Sequence, residues 1–198
     1  MKWSFAISGC CLLLLAANIA LIRQNIQLKS QLAVPPPALE ASAGAKVPDL
    51  HGVDLEGKEV EVAYGKDPRK VVVLVYSPTC TFCEENWPKW RQVIASLDRS
   101  AVRPVMVDVT STTTAEFVSR HQFTGFPVFV QVDPVARVNY HLQLTPQTIL
   151  VDSDGKVEKV WTGVLNDSSL AELKQRLGDG NSASASGSQR AYKAPEQR

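Results

Sequence analysis

Tyr76-Ser77-Pro78-Thr79-Cys80-Thr81-Phe82-Cys83, led in by the apolar run Val71 to Val75, decides how this chain is read. The run has the composition of a strand buried on both faces of a parallel sheet, and it delivers a Cys-x-x-Cys pair to the start of a helix. Two cysteines at this spacing close into a disulfide only where a turn or a first helical turn folds the chain back. A helix N-terminus does that, and its dipole and unpaired N–H groups also lower a thiol pKa. Cys80, the earlier thiol, is therefore expected to be the nucleophile and Cys83 its resolving partner.

Outward from the pair, Trp87, Trp90, Val93, Ile94 and Leu97 recur at helical spacing. Val102 to Val109 reads as the next strand, which makes a right-handed βαβ crossover. Thr110 to His121 reads as a helix capped by Ser or Thr, and Phe126 to Val132 as one further strand. Gln147 to Val151, the turn Asp152-Ser153-Asp154-Gly155 and Lys156 to Trp161 form a hairpin. A last amphipathic helix carries Leu170, Leu173 and Leu177, with Ser168 or Ser169 as its cap and Gly178 at its end. Upstream, Val53 to Val62 reads as a hairpin around Leu55-Glu56-Gly57-Lys58.

The 198 residues accommodate one domain with a core plus appendages. We read residues 1–23 as a transmembrane anchor, 24–45 as a helical extension and Pro/Ala-rich linker, 46–178 as the folded domain and 179–198 as a disordered tail. The anchor rests on Ser4 to Ile22, 19 uncharged residues, about the length that spans a bilayer as a helix. A cleaved signal peptide and a lipoprotein signal at Cys10 fit less well, because the small-residue sites are poor and the longest Leu run follows Cys10. Net charge is +1, which points away from nucleic acid as a partner. Cys10 and Cys11 lie in the apolar segment, so the folded domain carries only Cys80 and Cys83, too few for a disulfide scaffold.

The order strand, Cys-x-x-Cys, helix, strand, helix, strand, Pro-led hairpin, helix is that of a thioredoxin-like fold, an α/β architecture with a central mixed sheet flanked by helices. Within it the chain resembles the membrane-anchored thiol-disulfide oxidoreductases of the TlpA and ResA kind, with a Ser-Pro-x-Cys approach like that of MauD-type proteins. The resemblance covers Val47 to Leu177. It rests on Val47-Pro48-Asp49-Leu50, Leu55-Glu56-Gly57-Lys58-Glu59-Val60, Cys80/Cys83, Pro88, and Leu144-Thr145-Pro146-Gln147-Thr148-Ile149-Leu150-Val151-Asp152 with Asp154-Gly155-Lys156.

The resemblance implies a cis-proline facing the cysteines. Pro127 and Pro146 compete for that place, and Pro146 with Thr145 is preferred because strand, turn, strand and helix come directly after it. Thr145 and Pro146, with Thr81 and Phe82 between the cysteines, are then the expected substrate-binding residues. The cofactor would be the redox-active Cys80–Cys83 disulfide itself, with no metal. Partners would be protein disulfides or dithiols and a thiol-type membrane electron donor, with the lipid bilayer engaged through residues 4–22. The place would be the periplasmic side of a bacterial inner membrane, and relatives act in settings such as cytochrome c biogenesis. Three departures stand out: Thr79 rather than Trp before Cys80, Leu74 where plain thioredoxins carry a buried Asp, and Asn86 where many ResA-type proteins carry Glu. A catalytic pair therefore lacks an obvious proton source for Cys83 beyond water, Glu84 or Glu85.

Other chemistries fit the residues less well. His51, His121 and His141 show no ligand spacing along the chain, and no second Cys-x-x-Cys accompanies the first in the domain, which argues against a metal site. A peroxide-reducing site would want Thr at position 77 and Pro at 73, where this chain has Ser and Val. A non-catalytic thioredoxin-fold binding module or metal-delivery protein is the remaining alternative, and Asn86 is its best support.

Overall fold

The computed structural model describes residues 15, 17–25 and 41–178, and the chain separates into two compact units, Met1–Ala38 and Leu39–Arg198. In the first unit residues 17–25 are helical (α1). No helix among the described residues is long and apolar enough to cross a membrane. Most of the expected anchor and linker, and all of the expected C-terminal tail, lie outside the described residues.

The second unit runs β1 (Leu50–Val53), β2 (Glu59–Val62), β3 (Lys70–Tyr76), α2 (Thr81–Ala95), β4 (Val102–Asp108), α3 (Ala115–Arg120), β5 (Val128–Phe129), β6 (Gln131–Val132), α4 (Pro134–Asn139), β7 (Gln147–Val151), β8 (Val157–Thr162) and α5 (Asp167–Gly178). One sheet has the order β5-β4-β3-β7-β8 and a second the order β2-β1-β6. β3 is central, parallel to β4 and antiparallel to β7. Its side chains alternate between two cores, as the period of a strand requires. Val72, Leu74 and Tyr76 join Trp87, Trp90 and Met106 on one face, whereas Val71, Val73 and Val75 join Val105, Tyr140 and Ile149 on the other. Leu74 is thus a core residue. Both tryptophans of α2 are core too, and Trp90 donates its indole N–H to Thr148 Oγ1 at 2.9 Å.

Four local readings change. The helix expected over Thr110 to His121 is only Ala115–Arg120, capped by Thr114, because Thr110, Thr112 and Thr113 fold back on Asp108. The chain engages the domain from Ala41, which is buried, and Gly44 N–H donates to the Val157 carbonyl at 2.7 Å. The domain therefore starts a few residues earlier than the Pro and Ala content of the linker suggests. The cap of α5 is Asn166, whose Oδ1 accepts the Ser169 N–H at 2.8 Å and the Ser168 hydroxyl at 2.7 Å, so neither serine is the cap. The expected single strand over Phe126 to Val132 is two: β5 pairs with β4, and β6 pairs with β1 in the other sheet.

That change of sheet requires Gly52. A Cβ there would sit 2.0 Å from the Gln131 carbonyl oxygen and 2.7 Å from the Phe129 ring, contacts that no side-chain motion alone relieves. Gly52→Ala should separate β1 from β6 and cost about 3 kcal/mol, the upper part of the range for overpacking. Urea denaturation checks this, and a change under about 0.5 kcal/mol, typical of neutral surface substitutions, would contradict it.

Candidate functional site

β3 ends at Tyr76, and Ser77-Pro78-Thr79 carry the chain onto α2, where Cys80 is the N-cap with extended backbone (φ −84°, ψ 111°). An N-cap side chain accepts a hydrogen bond from the first turn, and here the acceptor is sulfur: Cys83 N–H donates to Cys80 Sγ at 3.2 Å. Both cysteines are thiols, Cys80 half-buried and Cys83 fully buried. Across from them runs the Thr145–Pro146 peptide, the one cis bond among the described residues. The Cys80 thiol donates to the Thr145 carbonyl at 3.7 Å. Sequence order had to choose between two prolines, and Pro146 is the one at the site. Pro127 is trans and leads into β5.

The two thiols are driven apart. Burial alone would raise Cys80, but the Cys83 thiol, the Thr145 side chain and the backbone N–H groups of Cys83 and Phe82 outweigh it and hold Cys80 below an ordinary thiol. Burial, reinforced by the neighbouring Cys80 sulfur, pushes Cys83 up to about 12. A low, reachable nucleophile beside a high, enclosed one is the division that thiol-disulfide exchange uses. Thr81 and Phe82 point outward from the first turn of α2. Phe82 is 63% exposed, a large apolar side chain left in water beside the reactive sulfur. Glu84 and Glu85 are exposed.

Two buried polar residues complete the surroundings. Asn86, one helical turn beyond Cys83, is fully buried. Its Nδ2 donates to the Gly163 carbonyl at 3.2 Å, and its Oδ1 accepts the Leu165 N–H at 2.9 Å. Asp108 at the end of β4 is also fully buried. Its carboxylate takes five hydrogen bonds, from the N–H and hydroxyl groups of Thr110 and Thr113 and the N–H of Thr112. Tyr76 joins this cluster through Thr113 Oγ1 at 2.8 Å, and Ser77 approaches Thr110 Oγ1 at 3.4 Å. A buried carboxylate thus exists on the strand beside β3 rather than at position 74. The run of Thr and Ser from 110 to 114 following an Asp was its signal, since such hydroxyl residues fold back on a preceding carboxylate.

The histidines divide. His121 is buried against Trp87 and Phe117, and burial lowers its pKa. His51 meets Glu61 across the β1–β2 ladder, and with Asp49 these three place possible ligand atoms within 4.8 Å of one another. Spacing along the chain did not show this, because the grouping comes from strand register. It lies on the three-stranded sheet, whereas the cysteines follow a strand of the other.

An N-capping thiol, a buried second thiol and a cis-proline wall at the end of a central parallel strand define a thioredoxin-fold dithiol protein. Residues 43–160 match the AhpC/TSA family, and the chain belongs to it. Among curated proteins it is similar to the thiol-disulfide oxidoreductase ResA of Geobacillus thermodenitrificans, 25% identical over 69% of this chain and 76% of that one. ResA of Bacillus subtilis is 24% identical over 72% and 79%. Among solved structures, a thiol:disulfide interchange protein from a Bacteroides species superposes with a TM-score of 0.55 at 20% identity, covering 70% of this chain and 91% of that one. The thioredoxin domain of a thiol-disulfide oxidoreductase from Bacteroides vulgatus gives 0.54 at 20% identity, covering 68% and 96%. These likenesses establish a thioredoxin-like fold.

The high Cys83 pKa has a consequence for stability. The folded protein holds that proton up to about pH 12, whereas an unfolded thiol releases it near 9.0. Stability from this group is complete below pH 9 and is lost as pH rises towards 12, at a slope of at most about 1.4 kcal/mol per pH unit. Reduced Cys83→Ala should show a shallower alkaline loss than the reduced wild type between these limits, by denaturant titration at several pH values. Equal slopes would contradict the assignment.

Proposed function

We propose that the protein is a membrane-tethered thiol-disulfide oxidoreductase that reduces protein disulfides, its domain on the periplasmic side of a bacterial inner membrane. The observation that carries the chemistry is the opposed pair of thiols at the cis-proline wall. Similarity to ResA proteins supports the activity, and the uncharged stretch of residues 4–22 supports the tether.

Cys80 as thiolate attacks one sulfur of a partner disulfide. A mixed disulfide forms, and the partner's other sulfur leaves as a thiolate that takes a proton from solvent. The mixed disulfide lies along Thr145-Pro146, with Thr81 and Phe82 against the partner. Cys83 then gives up its proton to solvent and its thiolate attacks Cys80 Sγ; the bond between Cys80 and the partner breaks, and the second partner sulfur leaves as a thiolate that is protonated from solvent. Two electrons have passed to the partner, and the protein is left with a Cys80–Cys83 disulfide. A thiol-type membrane donor reverses this by the same two exchanges. Deprotonation of Cys83 is the demanding step, because no carboxylate among the described residues is hydrogen-bonded to it and Asn86 does not titrate.

Cys80→Ser should lower turnover of a protein disulfide by more than about 100-fold, as removal of a nucleophile does. Cys83→Ser should accumulate a mixed disulfide with substrate, visible as a substrate-sized mass increase on a non-reducing gel. Turnover unchanged in Cys80→Ser would overturn the reading and leave a non-catalytic binding or metal-delivery module.

A further inference from the structure

Asn86 bridges two parts of the site that are far apart in the chain. It belongs to the helix that carries both cysteines. Its amide grips the segment after β8 at two backbone points, the Gly163 carbonyl and the Leu165 N–H. Gly163 in turn donates its N–H to the carbonyl of Pro146 at 2.8 Å, extending the Gln147–Thr162 pairing of β7 with β8. A chain of bonds therefore runs from the helix of the cysteines, through Asn86 and Gly163, to the carbonyl of Pro146, the residue whose preceding cis peptide faces Cys80. Lys89 Nζ adds a hydrogen bond to the Leu165 carbonyl one turn further along the same helix.

The bridge needs a donor and an acceptor on one planar group, and only an uncharged group supplies both. Asn carries an NH2 donor and a carbonyl acceptor on the same carbon, and each makes a backbone bond in a fully enclosed position where an unmade bond is costly. Gly163 sits at φ +85°, a backbone state that glycine adopts freely, so its carbonyl is turned to the amide without strain. Neither bond reaches a sulfur atom.

From this geometry we propose that Asn86 is a positioning residue that fixes the Thr145-Pro146 wall against the cysteine helix, and that it governs exchange with extended polypeptide disulfides rather than the intrinsic reactivity of Cys80. The inference rests on the disulfide-exchange reading under Proposed function. A polypeptide needs the wall at a set distance from Cys80 Sγ, whereas a small disulfide needs only the sulfur. A neutral amide holds the bridge at every pH, which an acid at the same place would not.

The test measures two rates with the reduced protein: one with 4,4′-dithiodipyridine, a small disulfide, and one with a fluorogenic extended peptide carrying a glutathione mixed disulfide. Asn86→Ala should slow the peptide reaction about 10- to 100-fold, the scale of a misplaced binding wall, and leave the small-disulfide rate within about twofold. Asn86→Asp supplies the isosteric control. Protonated, its carboxyl donates to Gly163 and accepts from Leu165 as the amide does; ionised, it keeps the Leu165 bond and faces the Gly163 carbonyl as a second acceptor. Its peptide rate relative to wild type, divided at each pH by the same ratio for 4,4′-dithiodipyridine so that any change in the titration of Cys80 cancels, should rise towards one as pH falls.

Equal losses in both assays, no loss in either, or a flat pH ratio for Asn86→Asp would overturn the proposal. Failure of the wild type to react with either disulfide would instead overturn the exchange reading on which it rests.

Discussion

The Cys83 N–H held on Cys80 Sγ is the interaction on which the rest of the site depends. It makes sulfur the cap of α2, so a donor that most helices give to Ser, Thr, Asp or Asn is spent on the nucleophile. The same turn that exposes Cys80 turns Cys83 inward beneath the helix. Burial raises Cys83, and the Cys83 thiol, Thr145 and the first-turn N–H groups lower Cys80. The packing that holds this turn in place is extensive. β3 is buried on both faces and fixes where Tyr76 ends, and Trp87 and Trp90 lock the helix against that strand. Tyr76 is tied again through Thr113 to the cluster around Asp108, so the approach to Cys80 is braced from the neighbouring strand as well.

The opposite wall is built by different means. Thr145 and Pro146 arrive at the end of α4 and its following turns, and β7 pairs at once with β3, which sets their height beside the cysteines. The segment after β8 then closes on α2 through Asn86. Helix and wall are thus joined twice, by the sheet below and by an amide above. Phe82, left in solvent between these features, adds apolar surface where a partner chain would lie.

Much of this was legible in the residues, and the reasons differ from element to element. The Val71 to Val75 run and the Cys-x-x-Cys spacing are strong local signals, and they placed β3, α2 and both thiols. Pro146 was separable from Pro127 only by the elements downstream of each, and the strand, Asp-Gly turn and strand after Pro146 settled it. The split of the Phe126 to Val132 run was hidden because the break depends on Gly52, over seventy residues upstream, leaving room for the Gln131 carbonyl. The role of Asn166 was masked by two serines that are themselves good caps. Asn86 was noticed for the proton it cannot give, whereas its two backbone bonds belong to a segment almost eighty residues away. The convergence of Asp49, His51 and Glu61 likewise comes from register across a hairpin and not from spacing along the chain.

Burial of Cys83 and the hydrogen bonds gathered on Cys80 separate the two thiols, and the ultraviolet absorbance of the thiolate measured across pH tests this most directly. The reduced protein should show one thiolate appearing below the ordinary cysteine range near 9.0, absent in Cys80→Ser, and a second only towards about 12. Two thiolates appearing together near pH 9 would mean that their surroundings do not divide them, and the division of labour between Cys80 and Cys83 would lose its physical basis.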